Sequence, residues 1–192
     1  MSTNIEIEVK VLLTQTEFNK VKKTMDAASY PVVVQTNHYI DTPKEQLRRY
    51  GMALRVREIK DEFTLTLKCP LAEGLLEKSQ ILSDAEFVLL KNNQDFPEGD
   101  LKNFLISVGI DVEKMQILAT LTTKRISLPY EDSLFSMDEN HFNNHVDYEL
   151  EMEGTSVSNA EAQLAAVCKQ ANVPFVLNSK SKQARAMDAL KN

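Results

Sequence analysis

The stretch Ile5-Glu6-Ile7-Glu8-Val9-Lys10 alternates apolar and charged residues without a break. A period of two makes a strand with one face for a core and one face for something polar. The pattern returns in ALRVRE, where Arg55 and Arg57 oppose Leu54 and Val56, and in FTLTLK, where Thr64, Thr66 and Lys68 oppose Phe63, Leu65 and Leu67. It returns again in DYELEME, with Glu149, Glu151 and Glu153 opposite Tyr148, Leu150 and Met152, and around Ser136 and Asp138. Strand-like segments fall near 5–11, 33–40, 52–59, 62–69, 75–82, 116–128, 134–141 and 144–153. Lys60-Asp61 reads as the turn of a hairpin between the third and fourth.

Helical patterns lie between these strands. Thr14 with Glu17, Ser83 with Glu86 and Ser158 with Glu161 each match a capping box. Thr42-Pro43 reads as opening a short helix that Gly51 closes, a further helix is predicted over 98–108, and a last one over 179–190. No linker or tandem repeat divides the chain, so residues 1–192 read as a single domain. Hairpin spacing predicts an α+β fold, an eight-stranded antiparallel closed β-barrel with peripheral helices. Its apolar exterior needs helices or a second subunit to cover it, and a homodimer is one expectation.

Composition narrows the function. A formal charge of −6 disfavours a general nucleic-acid binder. No apolar run approaches a membrane span, the N-terminus lacks a signal-peptide pattern, and a cytoplasmic location is the default expectation. Cys69 and Cys168 both read as small core residues. His38, His141 and His145 lack metal-ligand spacing and read as surface or strand-end residues.

A solvated sheet face would explain any one strand. It explains the set poorly, because sign is sorted by strand: the first and eighth are acidic and the third is basic. If the first and last strands are neighbours, Glu6, Glu8, Glu149 and Glu151 come together and repel unless a cation sits between them. Oxygen-only ligands favour Mg²⁺, Mn²⁺ or Ca²⁺ over zinc. Arg55, Arg57 and Lys68 have the opposite need, for a polyanion. A polyphosphate carrying a divalent metal satisfies both. Arg125 lies in TTKRISL, where the alternation breaks, and a bulge is expected there.

These residues, in this order, resemble the CYTH superfamily of triphosphate tunnel metalloenzymes. Glu6-x-Glu8-x-Lys10 is similar to its N-terminal signature, and Tyr39-Ile40-Asp41-Thr42 to its YFDT-like segment. Ala53–Arg57, Thr64–Lys68, Lys124-Arg125, Asp138, the Glu149/Glu151 strand and Ser181-Lys182-x-x-Arg185 complete the match. The resemblance implies a tunnel in which Lys10, Arg55, Arg57, Lys68, Arg125 and Lys182 bind phosphate oxygens. It assigns metal to Glu6, Glu8, Glu149 and Glu151, assisted by Asp138 and Glu153. Glu6, Glu8, Lys10, Glu149 and Glu151 form the implied catalytic set. Lys180 is a second candidate for the role of Lys182 over the tunnel mouth, and Glu77 lies on a strand where the family places a site carboxylate. The implied cofactor is Mg²⁺ or Mn²⁺, and the implied partner is a triphosphate-containing small molecule rather than nucleic acid or membrane. Three activities fit: a triphosphatase acting by direct attack of water, a class IV-type adenylate cyclase, and a non-catalytic polyphosphate- or nucleotide-binding module. An aromatic platform marks thiamine-specific members, and this chain has no Trp.

Overall fold

A computed structural model describes residues 2–190. Among them are nine strands: β1 (Ser2–Glu6), β2 (Glu8–Leu13), β3 (Val32–Asp41), β4 (Ala53–Ile59), β5 (Glu62–Pro70), β6 (Leu75–Leu82), β7 (Gln116–Tyr130), β8 (Ser133–Phe142) and β9 (His145–Glu153). Six helices accompany them: α1 (Gln15–Thr24), α2 (Gln46–Arg49), α3 (Asp84–Lys91), α4 (Asp100–Ser107), α5 (Val157–Gln170) and α6 (Lys182–Asp188). The strands form one strongly curled antiparallel sheet in the order β1-β6-β5-β4-β3-β7-β8-β9-β2.

The eight-stranded closed barrel expected from the sequence is corrected to this nine-stranded curled sheet. The count changes because the N-terminal strand breaks at Ile7. Residues before the break pair with β6, placing Glu6 opposite Leu75, and residues after it pair with β9, placing Lys10 opposite Glu151. The Ile7 carbonyl accepts from the Gly154 N–H at 3.0 Å, in register with the β2–β9 pairing, so the change of partner falls between Glu6 and Ile7. Gly74 lies beside the break at φ +77°, and a Cβ there would come 2.5 Å from the Glu6 carbonyl oxygen. Gly74→Ala is therefore expected to cost about 2–3 kcal/mol, from left-handed strain plus a backbone clash. A urea unfolding midpoint left where it was would contradict this.

The alternation sorts two faces. On the outer face, Val11, Phe135, Met137 and Leu150 pack with Leu164, Val167 and Cys168 of α5 and with Phe18 and Val21 of α1. Farther round, Leu54, Val56, Leu65 and Leu67 meet Phe87 and Leu90 of α3 and Leu101 and Leu105 of α4. Truncating a fully buried leucine such as Leu164 to Ala would cost about 2–5 kcal/mol. Helix α6 lies against the inner face, with Ala186 and Met187 on Tyr39, Ala119 and Leu121.

Helix starts follow local chemistry. The boxes at Thr14/Glu17 and Ser83/Glu86 form as expected. The third does not: α5 is capped two residues earlier, by Ser156 accepting from the Asn159 N–H. Helix α2 begins after Glu45 rather than at Thr42-Pro43, because the buried Asp41 carboxylate accepts from the N–H groups of Thr42, Leu47 and Arg48 and fixes the turn there. Helix α4 is shorter than the predicted 98–108, starting after Gly99 at φ +135°. The last helix spans seven residues of the predicted 179–190, since Ser181 caps it and Leu177 bridges to Val11 of β2.

Both cysteines are buried, and burial pushes the Cys168 thiol up to about 11. His38 is a correction: it is buried within β3, and its Nε2 lies 2.9 Å from Glu58. Among the described residues no helix is long and apolar enough to cross a membrane.

Candidate active site

The inner face of the sheet encloses a cavity of about 360 Å³. Alternation brings its charges in one strand at a time: Glu8 and Lys10 from β2, Arg55 and Arg57 from β4, Lys68 from β5, Arg125 from β7 and Glu151 from β9. Glu6 comes from β1 and Lys182 from α6.

One wall is acidic. Asp138 of β8 stands opposite Glu149 of β9 in the strand register, and Ser136 opposite Glu151. Oxygens of Asp138, Glu149 and Glu151, all buried, lie within 4.8 Å of one another. Lys182 is placed among all three, its Nζ 2.9 Å from Asp138, 2.8 Å from Glu149 and 2.5 Å from Glu151. Arg125 grips Asp138 with two parallel bonds of 2.7 and 2.6 Å and also reaches Glu151. Arg185 ties α6 to this wall through Asp147 at 2.7 Å and Glu149 at 2.6 Å.

The cations decide the protonation of this wall. Burial works against charge on Glu151, yet Lys182, Arg125 and Lys10 hold its carboxyl well below the usual range. For Glu149 burial wins and the carboxyl is raised, despite Lys182 and Arg185. Burial opposes the Lys182 charge too, but its three carboxylates hold the ammonium well above its ordinary value.

A second acidic group lies across β1 and β6. Lys68 bridges Glu6 and Glu77, 2.8 Å from the latter. Burial and the neighbouring Glu8 raise the Glu6 carboxyl. Lys10 extends to Glu8 at 2.5 Å.

The β4 wall is different. Arg55 comes no nearer to a carboxylate than 4.0 Å, from Glu77, and the Arg57 guanidinium makes no ion pair among the described residues. The Nε atoms of both are buried without a hydrogen-bond partner. Repulsion from Arg55, then burial, pushes Arg57 down to about 10. Arg55 is held only by the long pair with Glu77, and Arg57 is left with no ion pair among the described residues.

The structure thus brings together Glu6, Glu8, Lys10, Arg55, Arg57, Lys68, Arg125, Asp138, Glu149, Glu151 and Lys182. Glu77 faces inward, paired with Lys68. Glu153 faces Glu8 across β2 and β9, and burial followed by Glu8 raises its carboxyl. Lys180 is directed elsewhere, pairing at 2.8 Å with Asp188. The bulge expected at Arg125 is absent: the register runs unbroken from Thr122 to Tyr130 against β8, and Lys124 turns outward to Glu139. The register shift of β7 lies against Tyr39/Ile40 instead. Sequence reasoning left out Gln35 and Asn37 of β3, which line the cavity. Strand β3 has polar residues on both faces, so alternation gave no contrast; their shared parity with Tyr39 was the available signal.

A family model described as the CYTH domain matches residues 4–185. A Bacillus subtilis protein named "Putative triphosphatase YjbK" is 32% identical over 174 residues, 91% of this chain and 90% of its own length. A crystal structure of a "putative adenylate cyclase" from Bacillus halodurans superimposes with a TM-score of 0.89 at 32% identity, covering 96% of this chain and 98% of that one. The fold is also shared with HpAC1 from Hippeastrum, described as a "putative adenylyl cyclase" with dominant triphosphatase activity, at a TM-score of 0.76 and 19% identity over 96% of each chain. With a family model covering nearly its whole length and a relative of this identity, the chain belongs to the CYTH-domain family.

Proposed function

We propose that this chain is a divalent-metal-dependent triphosphatase that binds its substrate in the cavity of the curled sheet. One observation carries the reading: two partly buried guanidinium groups with unpartnered Nε atoms, weakly paired at best, share one enclosure with a buried carboxylate trio. The first need an anion rich in oxygens, and the second suit a hard cation. In this reading the sheet acts as a tunnel, since its two end strands are joined by the single residue Ile7.

The residues fit a metal. Asp138, Glu149 and Glu151 supply only oxygens, and Glu149 Oε1 is buried without a hydrogen-bond partner. These three would hold Mg²⁺ or Mn²⁺, and Glu6 and Glu8, on the other acidic group, are candidate ligands as well. Such an ion would supply Lewis-acid polarisation of phosphoryl oxygens.

The chain's own groups do the rest. Arg55 and Arg57 grip non-bridging phosphate oxygens, Lys10, Lys68 and Lys182 add point charges along the substrate, and Arg125, anchored on Asp138, adds a delocalised one. Their positive field stabilises the charge that spreads over the transferred phosphoryl group. Water attacks the terminal phosphorus, the bridging P–O bond breaks, and orthophosphate and a diphosphate leave. No side-chain nucleophile is needed.

The name of the Bacillus halodurans relative keeps a cyclase reading in view. That reaction needs the same metal and cation sets plus a purine pocket, and the aromatic ring lining this cavity is the buried Tyr39. Product analysis separates the two. ATP with Mg²⁺ or Mn²⁺ is expected to give orthophosphate and ADP; cyclic AMP with pyrophosphate would replace the triphosphatase reading with the cyclase.

A further inference from the structure

We propose that Asn37 is a phosphoryl-positioning residue, whose carboxamide donates to an oxygen of the group that Arg57 holds. The inference rests on the triphosphate reading and adds a contact to it. Asn37 is 1% exposed, lines the cavity, and its Oδ1 has no hydrogen-bond partner. Leaving a buried amide unpaired costs free energy that an apolar side chain of the same size would not. The register places Asn37 directly across from Arg57, whose Nε is also unpartnered.

Its neighbours define what it would bind. On β4 it has Arg57, with Arg55 one inward position along the strand. On β7, Arg125 is close enough to add to the repulsion that lowers Arg57. Gln35, the next inward residue of β3, is also buried and lines the cavity. Asn37 thus has Arg57 on one side and Leu121 of β7 on the other, and Gln35 has Thr123 beside it on β7. A carboxylate at position 37 would neutralise Arg57, and a third cation beside the two arginines would add repulsion. A carboxamide does neither. It carries two N–H donors and an acceptor on one flat group, and half a turn exchanges them. The partner that suits a neutral donor beside a guanidinium group is a phosphoryl group, whose several non-bridging oxygens can meet both.

Asn37→Leu tests this, because a structural amide and a ligand-binding amide give opposite signs. Thermal unfolding of the free protein is measured with and without inorganic tripolyphosphate in EDTA, and the affinity is titrated calorimetrically in the same buffer. Asn37→Leu is expected to keep or raise the melting temperature and to weaken tripolyphosphate binding about tenfold, the loss of one hydrogen bond to a charged group. Asn37→Asp is expected to weaken binding further, by pairing with Arg57. Unchanged affinity in Asn37→Leu would overturn the assignment, as would a large fall in its melting temperature, which would mark the amide as structural. If the unsubstituted protein neither binds tripolyphosphate in EDTA nor binds or hydrolyses it with Mg²⁺, the triphosphate reading falls, and this inference with it.

Discussion

Glu151→Gln is expected to lower metal-dependent phosphate release by at least about a hundredfold, the upper end of what losing even an outer partner of a metal ligand costs. Glu151 is the carboxylate on which Lys182, Arg125 and the cavity converge, and those cations hold it ionised against burial. The amide is nearly the same size but carries no charge. Lys182 would keep Asp138 and Glu149, and Arg125 would keep its paired bonds to Asp138, so the fold should survive. Calorimetry should then show weakened Mn²⁺ binding by a folded protein. A variant with full activity and undiminished metal affinity would remove Glu151 from the metal site.

Arg57→Met is expected to weaken tripolyphosphate binding about thirty- to hundredfold, as loss of a charge-assisted contact to phosphate does. The unliganded protein should be no less stable, and Mn²⁺ affinity should be retained. Arg57 has no carboxylate partner among the described residues, and repulsion from Arg55 beside it disfavours its charge. Met keeps most of the aliphatic stem while removing that repulsion. A residue costly to the empty fold and valuable to the loaded one is how stability and function trade against each other at a binding site. Loss of stability with binding intact would assign Arg57 a structural role instead.

The inward set was legible because a strand's period is two and the facing residues differ in character. In β2, β4 and β9, one face is Val, Leu or Met and the other is charged, so parity alone identified Glu8, Lys10, Arg55, Arg57, Glu149 and Glu151. In β3 the outward residues Thr36 and His38 are as polar as the inward Gln35 and Asn37, and the pattern had no contrast to offer. Arg125 was obscured by Lys124 beside it, and the structure resolves the pair by sending one to Glu139 and the other to Asp138. Lys182 lies on a seven-residue helix, where strand parity says nothing; only the motif resemblance pointed to it. The break at Ile7 was invisible for a related reason. Alternation runs straight through it, while the change of pairing partner depends on β6 and on Gly154, both far away in the chain.

Two of the three capping boxes form as read; the third was displaced by two residues because Ser156 caps α5 in place of Ser158, and the start of α2 was missed because a buried side chain sets it. The two boxes that formed use residues three apart on exposed turns. The start of α2 is instead set by Asp41, a fully buried carboxylate at the end of β3. Its role follows from the tertiary fold.

The most direct test of the central claim is the ³¹P spectrum of inorganic tripolyphosphate incubated with the protein and Mg²⁺, followed over time. The account predicts that the tripolyphosphate signals give way to orthophosphate and pyrophosphate, and that EDTA stops the change. Tripolyphosphate signals that persist unaltered in the presence of Mg²⁺ and Mn²⁺ would contradict it.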